Sequence, residues 1–263
     1  MFGSPLDFYQ AYYTDAPRSA AYGNFCTRLF GRNFVQHGFA DMAQVDLLLK
    51  TLNLSPADHV LEIGCGSGGI SAYIAEVTGA HVTGIDFAQA AIAQAHLMRS
   101  DRLAFDVGDI AALPYANGDF TCIVSIDTLY FTDLETTIGK LKALLAPGGQ
   151  MGLLYSCGAD PGTPIAVFPR EILPPDCTPP AVALQAYSLA YTALDVTAQD
   201  YAHAREKRRS LEEMHAAFEA EGMLWLLENR LGEACGVAAA FEAGAHARYL
   251  YHVRLPAETP FAA

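Results

Sequence analysis

The reading of this chain turns on His59-Val60-Leu61-Glu62-Ile63-Gly64-Cys65-Gly66-Ser67-Gly68-Gly69-Ile70. His59 to Ile63 is short, largely apolar and closed by glycines, which predicts a buried strand. Ile70, Tyr73, Ile74 and Val77 then recur at helical spacing. The unit is therefore strand, glycine turn, helix. Downstream the same alternation repeats. Ala80 to Ile85 predicts a strand ending at Asp86, and Ala88 to Ser100 a helix. Leu103 to Val107, Phe120 to Ile126 and Gln150 to Tyr155 predict three further strands. Leu134, Ile138, Leu141 and Leu145 mark a helix stopped by Pro147-Gly148-Gly149. Such alternation predicts an α/β fold, a mostly parallel sheet with helices on both faces.

Outside this core the pattern changes. Residues 1–40 are rich in aromatics, among them Phe2, Phe8, Tyr9, Tyr12, Tyr13, Tyr22, Phe25, Phe30, Phe34 and Phe39. Asp15 with Pro17 predicts a helix start and Gly31 its stop. Asp41 and Gln44 predict a capping box opening a second helix. Beyond strand five, seven of the 14 prolines fall between Pro161 and Pro180, which predicts an irregular loop or lid. A helix is expected over Thr197–Glu221, a strand over Leu224–Asn229, a helix around Glu233–Ala243 and a last strand over Arg248–Arg254. Four segments result: an aromatic helical cover (1–40), an α/β core (41–156), an insertion or lid (157–222) and C-terminal strands completing the sheet (223–263).

Composition bounds the function. The 263 residues are 52% hydrophobic and 17% charged, which excludes a disordered chain. Sixteen basic against 29 acidic residues disfavour a nucleic-acid partner, because phosphate contacts need the opposite sign. The basic run Arg205-Glu206-Lys207-Arg208-Arg209 reads as a solvated helix face. No apolar run reaches bilayer length, so no membrane partner is expected, and the N-terminus has no secretory pattern. Cys26, Cys65, Cys122, Cys157, Cys177 and Cys235 are scattered, which predicts neither zinc site nor disulfide framework and suits the reducing cytoplasm.

A glycine turn between strand and helix lets backbone N–H groups approach a ligand closely. Gly64, Gly66, Gly68 and Gly69 fit two spacings, each weak alone. Asp86, 22 residues after Gly64, ends the next strand, where a carboxylate can accept from both hydroxyls of a ribose. A nucleoside-containing cofactor follows. Glu62, two residues before the first glycine, suits a cofactor carrying an amino group and a sulfonium better than a pyrophosphate. Asp109 could accept from an adenine amino group, with the Ile110 N–H beside the ring.

With these motifs the chain resembles the class I S-adenosylmethionine-dependent methyltransferases, of the small-molecule type, over residues 55–156. Val60 to Gly68 resembles their first motif and Gly84-Ile85-Asp86-Phe87 their ribose-binding strand end. Gly108-Asp109-Ile110 resembles the adenine motif, Phe120 to Ser125 strand four, and Leu144 to Gly149 the turn before strand five. The resemblance implies a doubly wound, Rossmann-like sheet of order 3-2-1-4-5-7-6 with the last strand antiparallel. It implies that Gly64, Cys65, Gly66 and Gly68 form the cofactor loop under the methionine part. Asp86 would hold the ribose, Phe87 would cover adenine, Asp109 would take its amino group, and the backbone near Ser125 would meet the ammonium. The cofactor would be S-adenosylmethionine, leaving as S-adenosylhomocysteine, with no metal.

Methyl transfer is an in-line displacement that needs alignment and exclusion of water, and a base only where the acceptor must lose a proton early. Tyr9, Tyr12, Tyr13 and Tyr22 are candidates to line the acceptor site, with Asp127 binding cofactor or acceptor. His37, in a glycine-flanked loop before a helix, is the candidate base, and Tyr130 after strand four a second catalytic candidate. The N/D-P-P-Y/F motif of relatives acting on proteins or DNA does not follow strand four, which leaves a small-molecule acceptor as partner. Acceptor identity, O-, N- or C-methylation and oligomeric state stay open. The competing readings are a nicotinamide-dependent oxidoreductase, a non-catalytic protein binding the same cofactor, and a thiol-based arsenic methyltransferase.

Overall fold

The computed structural model describes residues 3–158 and 164–257. Phe2, Pro161 and the last six residues, all part of the expectations above, lie outside the described residues. Among the described residues seven strands form one sheet of order β3-β2-β1-β4-β5-β7-β6. The strands are β1 (His59–Ile63), β2 (His81–Asp86), β3 (Leu103–Val107), β4 (Phe120–Ile126), β5 (Leu145–Gly158), β6 (Tyr191–Asp195) and β7 (His246–Arg254). Strands β1 to β5 are parallel, and β7 runs antiparallel to both β5 and β6. Helices α3 (Met42–Leu52), α4 (Gly69–Thr78), α5 (Gln89–Ala95) and α6 (Leu134–Leu144) flank the sheet. One face buries Val45, Leu48 and Leu52 of α3 and Ile70 and Ile74 of α4 against Val60, Val82 and Val124. The other buries Ile138 and Leu141 of α6 against Leu61, Ile123 and Met151.

Four more helices form a cap at the end of the sheet where the parallel strands finish. They are α1 (Pro5–Asp15), α2 (Ala20–Phe30), α8 (Thr197–Ala220) and α9 (Leu224–Glu242). Tyr12, Tyr22, Phe25 and Phe30 pack with Leu211 and Phe218 of α8 and Leu226 and Leu227 of α9. The aromatic N-terminus is thus half of a helical unit whose other half lies about 200 residues further along the chain.

Several expectations are corrected here. Leu224–Asn229 is not a strand but the first turns of α9, a 19-residue helix. A short apolar run is ambiguous between the two, and its continuation into Leu231, Ala234 and Ala238 settles it as helix. The sixth strand is instead Tyr191–Asp195, inside the supposed insertion, paired with β7 from Tyr191–Val253 to Asp195–Tyr249. The helix expected to start at Asp15 is α2, capped by Ser19, whose side chain accepts from the Tyr22 N–H at 3.0 Å; Asp15 instead ends α1. Gly31, in the left-handed region at φ 72°, ends it as expected. Asp41 caps α3 by accepting from Gln44 N–H at 2.7 Å, but the Gln44 side chain reaches Arg248 instead of closing the box. Helix α7 (Pro179–Ala186), capped by Thr178, places Ala181 and Leu184 on the β5–β7 face of the sheet. Tyr249 and Tyr251 tie the same segment down by donating to the Leu173 and Pro175 carbonyls at 3.0 and 3.1 Å.

Candidate active site

Two adjoining cavities open at the C-terminal ends of β1, β2 and β4, where the strand order reverses. This is the place where open α/β sheets bind ligands. The first, about 650 Å³, lies between Ile63-Gly64, Ile85-Asp86-Phe87 and Gly108-Asp109-Ile110, with Pro5 and Leu6 of α1 at its rim. The second, about 370 Å³, lies deeper under the cap, between Tyr9, Tyr13, His37 and Phe39 on one side and Glu233, Gly236 and Val237 of α9 on the other. Gly64, Asp86, Phe87, Thr128, Tyr130 and Phe131 belong to both walls.

The glycine loop is built for close approach. Gly64, Gly66 and Gly68 hold φ of 72°, 55° and 81°, where a side chain is strained, and a Cβ on Gly64 would collide with Thr128. Asp86, 7% exposed, accepts from the Gly66 and Ala88 N–H groups, each at 2.9 Å. Burial raises its carboxyl, and these N–H groups oppose the rise. Asp109 accepts from the Ala111 N–H at 2.8 Å and lines this cavity with Ile110, just beyond the end of β3, whose Val107 pairs with Asp86. Four other expected cofactor residues sit behind the walls. Gly66 and Gly68 pack against Tyr13 and Phe105 respectively, and Cys65 packs with Ile92, Ala95 and Phe105. Ser125 is buried within β4, and it is Ile126, Asp127 and Thr128 that reach the cavity.

Glu62 is also interior, 3% exposed, and accepts a short hydrogen bond from the Ser71 hydroxyl. Burial pushes its carboxyl up to about 7, against that bond, with the Asp86 charge adding. The folded state therefore holds this proton more tightly than the unfolded chain, so stability falls as pH rises from about 4.5 through 7. About 3 kcal/mol is at stake, of which about 1 kcal/mol falls between pH 6 and 8. In urea unfolding of the ligand-free protein, Glu62→Gln should lose about 1 kcal/mol less than wild type between those pH values. An identical pH profile would show that Glu62 is not buried in this way.

The N-terminal tyrosines divide. Tyr9 and Tyr13 line the deeper cavity. Tyr12 and Tyr22 do not: both are fully buried, their hydroxyls bonded to each other, and Tyr22 donates to the Gln36 carbonyl at 3.0 Å. They are packing residues of the cap, because a buried phenol needs its partner.

His37 lines the cavity, with its Nε2 3.4 Å from both Asn229 Oδ1 and Glu233 Oε1. Burial, then the Arg230 and Lys207 charges, hold its pKa well below the usual histidine range. Arg230, fully buried, pairs with Glu233 and donates to the Gly38 carbonyl at 3.4 Å. Lys207, also fully buried, has its Nζ 4.7 Å from the centre of the Phe39 ring, and burial, then Arg230, push it down to about 7.

Tyr130 places its hydroxyl between the Ser156 N–H, which donates to it at 2.8 Å, and Asp127 Oδ1, to which it donates at 3.3 Å. Asp127 itself is fully engaged. Arg248 donates to its two oxygens at 2.6 and 3.0 Å, and the Phe39 and Ala40 N–H groups donate at 2.7 and 3.3 Å. It bridges β4, β7 and the 39–40 loop, and that leaves little of its carboxylate for a ligand.

Sequence reasoning missed α9 and the start of β7 as walls of the cavity. Gly236, Val237 and Ala240 line it, as do Glu233 and His246. Conversely, residues 164–222, expected to cover the acceptor site, contribute no lining residue to either cavity. They cover the β5–β7 face and support the cap. Among the described residues no group of three His, Cys, Asp or Glu could hold a metal ion, and no helix is long and apolar enough to cross a membrane.

Residues 60–149 match the family model of a methyltransferase domain. A phosphoethanolamine N-methyltransferase 1 of Arabidopsis thaliana is 34% identical over 150 residues, 55% of this chain and 30% of that protein. A sterol 24-C-methyltransferase of Gibberella zeae is 29% identical over 136 residues, 49% of this chain and 35% of that protein. The chain thus spans about a third of the length of these curated relatives. Among solved structures, phosphoethanolamine N-methyltransferase 2 of Haemonchus contortus, in complex with phosphomonomethylethanolamine and S-adenosylhomocysteine, aligns with a TM-score of 0.72 at 16% identity. That alignment covers 93% of this chain and 60% of that one. The [4+2]-cyclase SpnF aligns with a TM-score of 0.70 at 19% identity, covering 98% of both chains. At these identities the structural likeness concerns the fold. The matched domain and the strand order together give residues 60–149 the likeness of a methyltransferase domain, on the fold that the solved structures share.

Proposed function

We propose that this chain transfers a methyl group from S-adenosylmethionine to a small-molecule acceptor. The observation that carries this reading is the pair of cavities sharing the Gly64–Asp86–Phe87 wall. The outer one offers a nucleoside a buried carboxylate at Asp86 for the ribose, a second carboxylate at Asp109 and the Ile110 backbone for adenine. S-adenosylmethionine, when bound there, supplies a methyl group already activated on a sulfonium. The inner cavity, roofed by α1 and α9 and walled by Tyr9, Phe39, Phe87 and Phe131, holds the acceptor and excludes water. Its volume is at the small end for ligand sites, which favours a compact metabolite over a macromolecule. Two relatives act on small molecules, phosphoethanolamine and a sterol, in keeping with this. The scattered spacing of the six cysteines favours a reducing compartment such as the cytoplasm.

Titration calorimetry tests the cofactor assignment. S-adenosylhomocysteine should bind with one-to-one stoichiometry and NAD should give no heat. Binding of NAD with none of S-adenosylhomocysteine would overturn the reading.

A further inference from the structure

The inner cavity contains a second histidine, and its surroundings differ from those of His37. His246 is the first residue of β7 and pairs with Gly158, the last residue of β5. Because β7 runs against the parallel strands, its beginning arrives at the edge where β1, β2 and β4 end. The antiparallel last strand thereby delivers His246 to the functional crest, and both His246 and Gly158 line the cavity.

The imidazole is held in one orientation. Its Nε2 lies 2.8 Å from Oδ2 of Asp200, a carboxylate 1% exposed in the first turn of α8. An acceptor-only carboxylate at that distance places the proton on Nε2 and leaves a lone pair on Nδ1. Among the described residues Nδ1 has no hydrogen-bond partner. It lies against Gly158, where a Cβ would come within 2.6 Å of it, so only a glycine fits there, and both residues line the cavity. Asp200 in turn is steadied by Arg248, whose Nε lies 3.7 Å from its Oδ1. Against the desolvation that would raise it, Arg248 and then His246 hold the Asp200 carboxyl below the usual range.

We propose that His246, oriented by Asp200, is the catalytic residue that accepts a proton from a hydroxyl of the acceptor. The inference rests on the methyltransferase reading. In the step, the hydroxyl proton passes to Nδ1 and the oxygen electron pair forms the bond to the methyl carbon. The pair of the broken carbon–sulfur bond stays on sulfur, and the imidazolium returns its proton to solvent after product leaves. The charged and titratable groups around the pair are Asp200, His203 and Lys207 of α8, Arg248 of β7, Asp127 after β4 and Glu233 of α9. Arg248 is matched by Asp127 and Asp200, and Arg230 by Glu233, so a positive charge developing on His246 meets the Asp200 carboxylate first. His37 has the opposite setting. Arg230 and Lys207 keep it neutral, and Asn229 and Glu233 face its Nε2, which makes it a fixed wall and a poor base.

The same walls indicate the acceptor class. Tyr9, Phe39, Phe87 and Phe131 present ring faces and edges, while Glu233 and Asp86 oppose an anionic group. The acceptor is an uncharged ring compound with a weakly acidic hydroxyl, a phenol in the simplest case.

The test uses the full chain, labelled S-adenosylmethionine and two probe series: weakly acidic phenols such as catechol, and 4-nitrophenol, which is largely ionised at pH 8. His246→Gln should lose roughly 100-fold or more in turnover of the weakly acidic phenols and only a few-fold with 4-nitrophenol, since an ionised acceptor needs no base. Asp200→Asn, which preserves shape, should show the same dependence on acceptor acidity with a smaller loss. His37→Gln should lose equal factors on both series. Far-UV circular dichroism and S-adenosylhomocysteine affinity within about twofold of wild type verify that His246→Gln is folded, and Asp200→Asn serves if it is not. Equal losses on both series in His246→Gln, or no loss, would overturn the assignment. So would a wild-type protein that binds S-adenosylhomocysteine but methylates no phenol. A wild type that binds no S-adenosylhomocysteine overturns the methyltransferase reading itself, and that outcome is separable because it precedes any acceptor.

Discussion

Replacing Asp86 by alanine is expected to raise the dissociation constant for S-adenosylhomocysteine by at least ~100-fold, about 3 kcal/mol. Two losses combine. The carboxylate is the group placed to accept from the ribose hydroxyls, and a charge-assisted bond of this kind contributes about 1.5–3 kcal/mol. It also accepts from the Gly66 and Ala88 N–H groups at 2.9 Å, which ties the glycine loop to the end of β2. Without it both N–H groups are left in a site that is nearly closed, and Gly66, at φ 55°, loses its tether. Asp86→Asn separates the parts. It keeps one acceptor oxygen and the size, so it should lose about tenfold. Calorimetry with S-adenosylhomocysteine measures both. An unchanged constant for Asp86→Ala would remove the ribose assignment and the cofactor geometry built on it.

The second large effect is on stability. Arg248→Met should destabilise the protein by about 3–5 kcal/mol, because it leaves two buried carboxylates, Asp127 and Asp200, without their shared cation. Arg248 is fully buried. Besides both Asp127 oxygens it donates to Ser156 Oγ at 2.6 Å and Gln44 Oε1 at 2.8 Å. It thereby joins β4, β5, β7 and α3 at one point, and through Asp127 it holds the 39–40 loop against the cavity. Asp127 pays for its place with φ 54°, a conformation that persists only where the surroundings demand it. The urea midpoint, at constant slope, reads the effect. Arg248→Met combined with Asp127→Asn should cost less than the sum of the two single changes, since the second removes one of the orphaned charges. A loss below about 1 kcal/mol for Arg248→Met would show that the cluster is not held as described.

The first five strands were legible because each is a short apolar run closed by turn residues, and because β1 and β2 end in the motif residues themselves. Gly64, Asp86, Asp109 and Ile110 could be placed from their spacing, since a parallel strand–turn–helix repeat puts every turn at the same edge, and Phe87 from the family resemblance. Tyr12 and Tyr22 could not be distinguished from Tyr9 and Tyr13. All four lie on or near the same two helices, and which of them meets the cavity depends on α8 and α9, about 200 residues away. Leu224–Asn229 was misread because six residues cannot reveal whether an apolar run has period two or 3.6. His246 was missed as well, because the last strand was expected over Arg248–Arg254 whereas it begins at His246, beside Gly158.

From sequence alone followed the parallel α/β core, the glycine loop and the carboxylates at the ends of β2 and β3, since all of these depend on contacts between near neighbours in the chain. Only the tertiary structure decided what encloses the inner cavity and which of its histidines has a buried carboxylate partner. Those roles depend on burial, on charge neighbours and on an antiparallel strand that brings residues 127, 200 and 246 within hydrogen-bond reach of one cluster. Long-range packing of this kind leaves no local pattern in the chain.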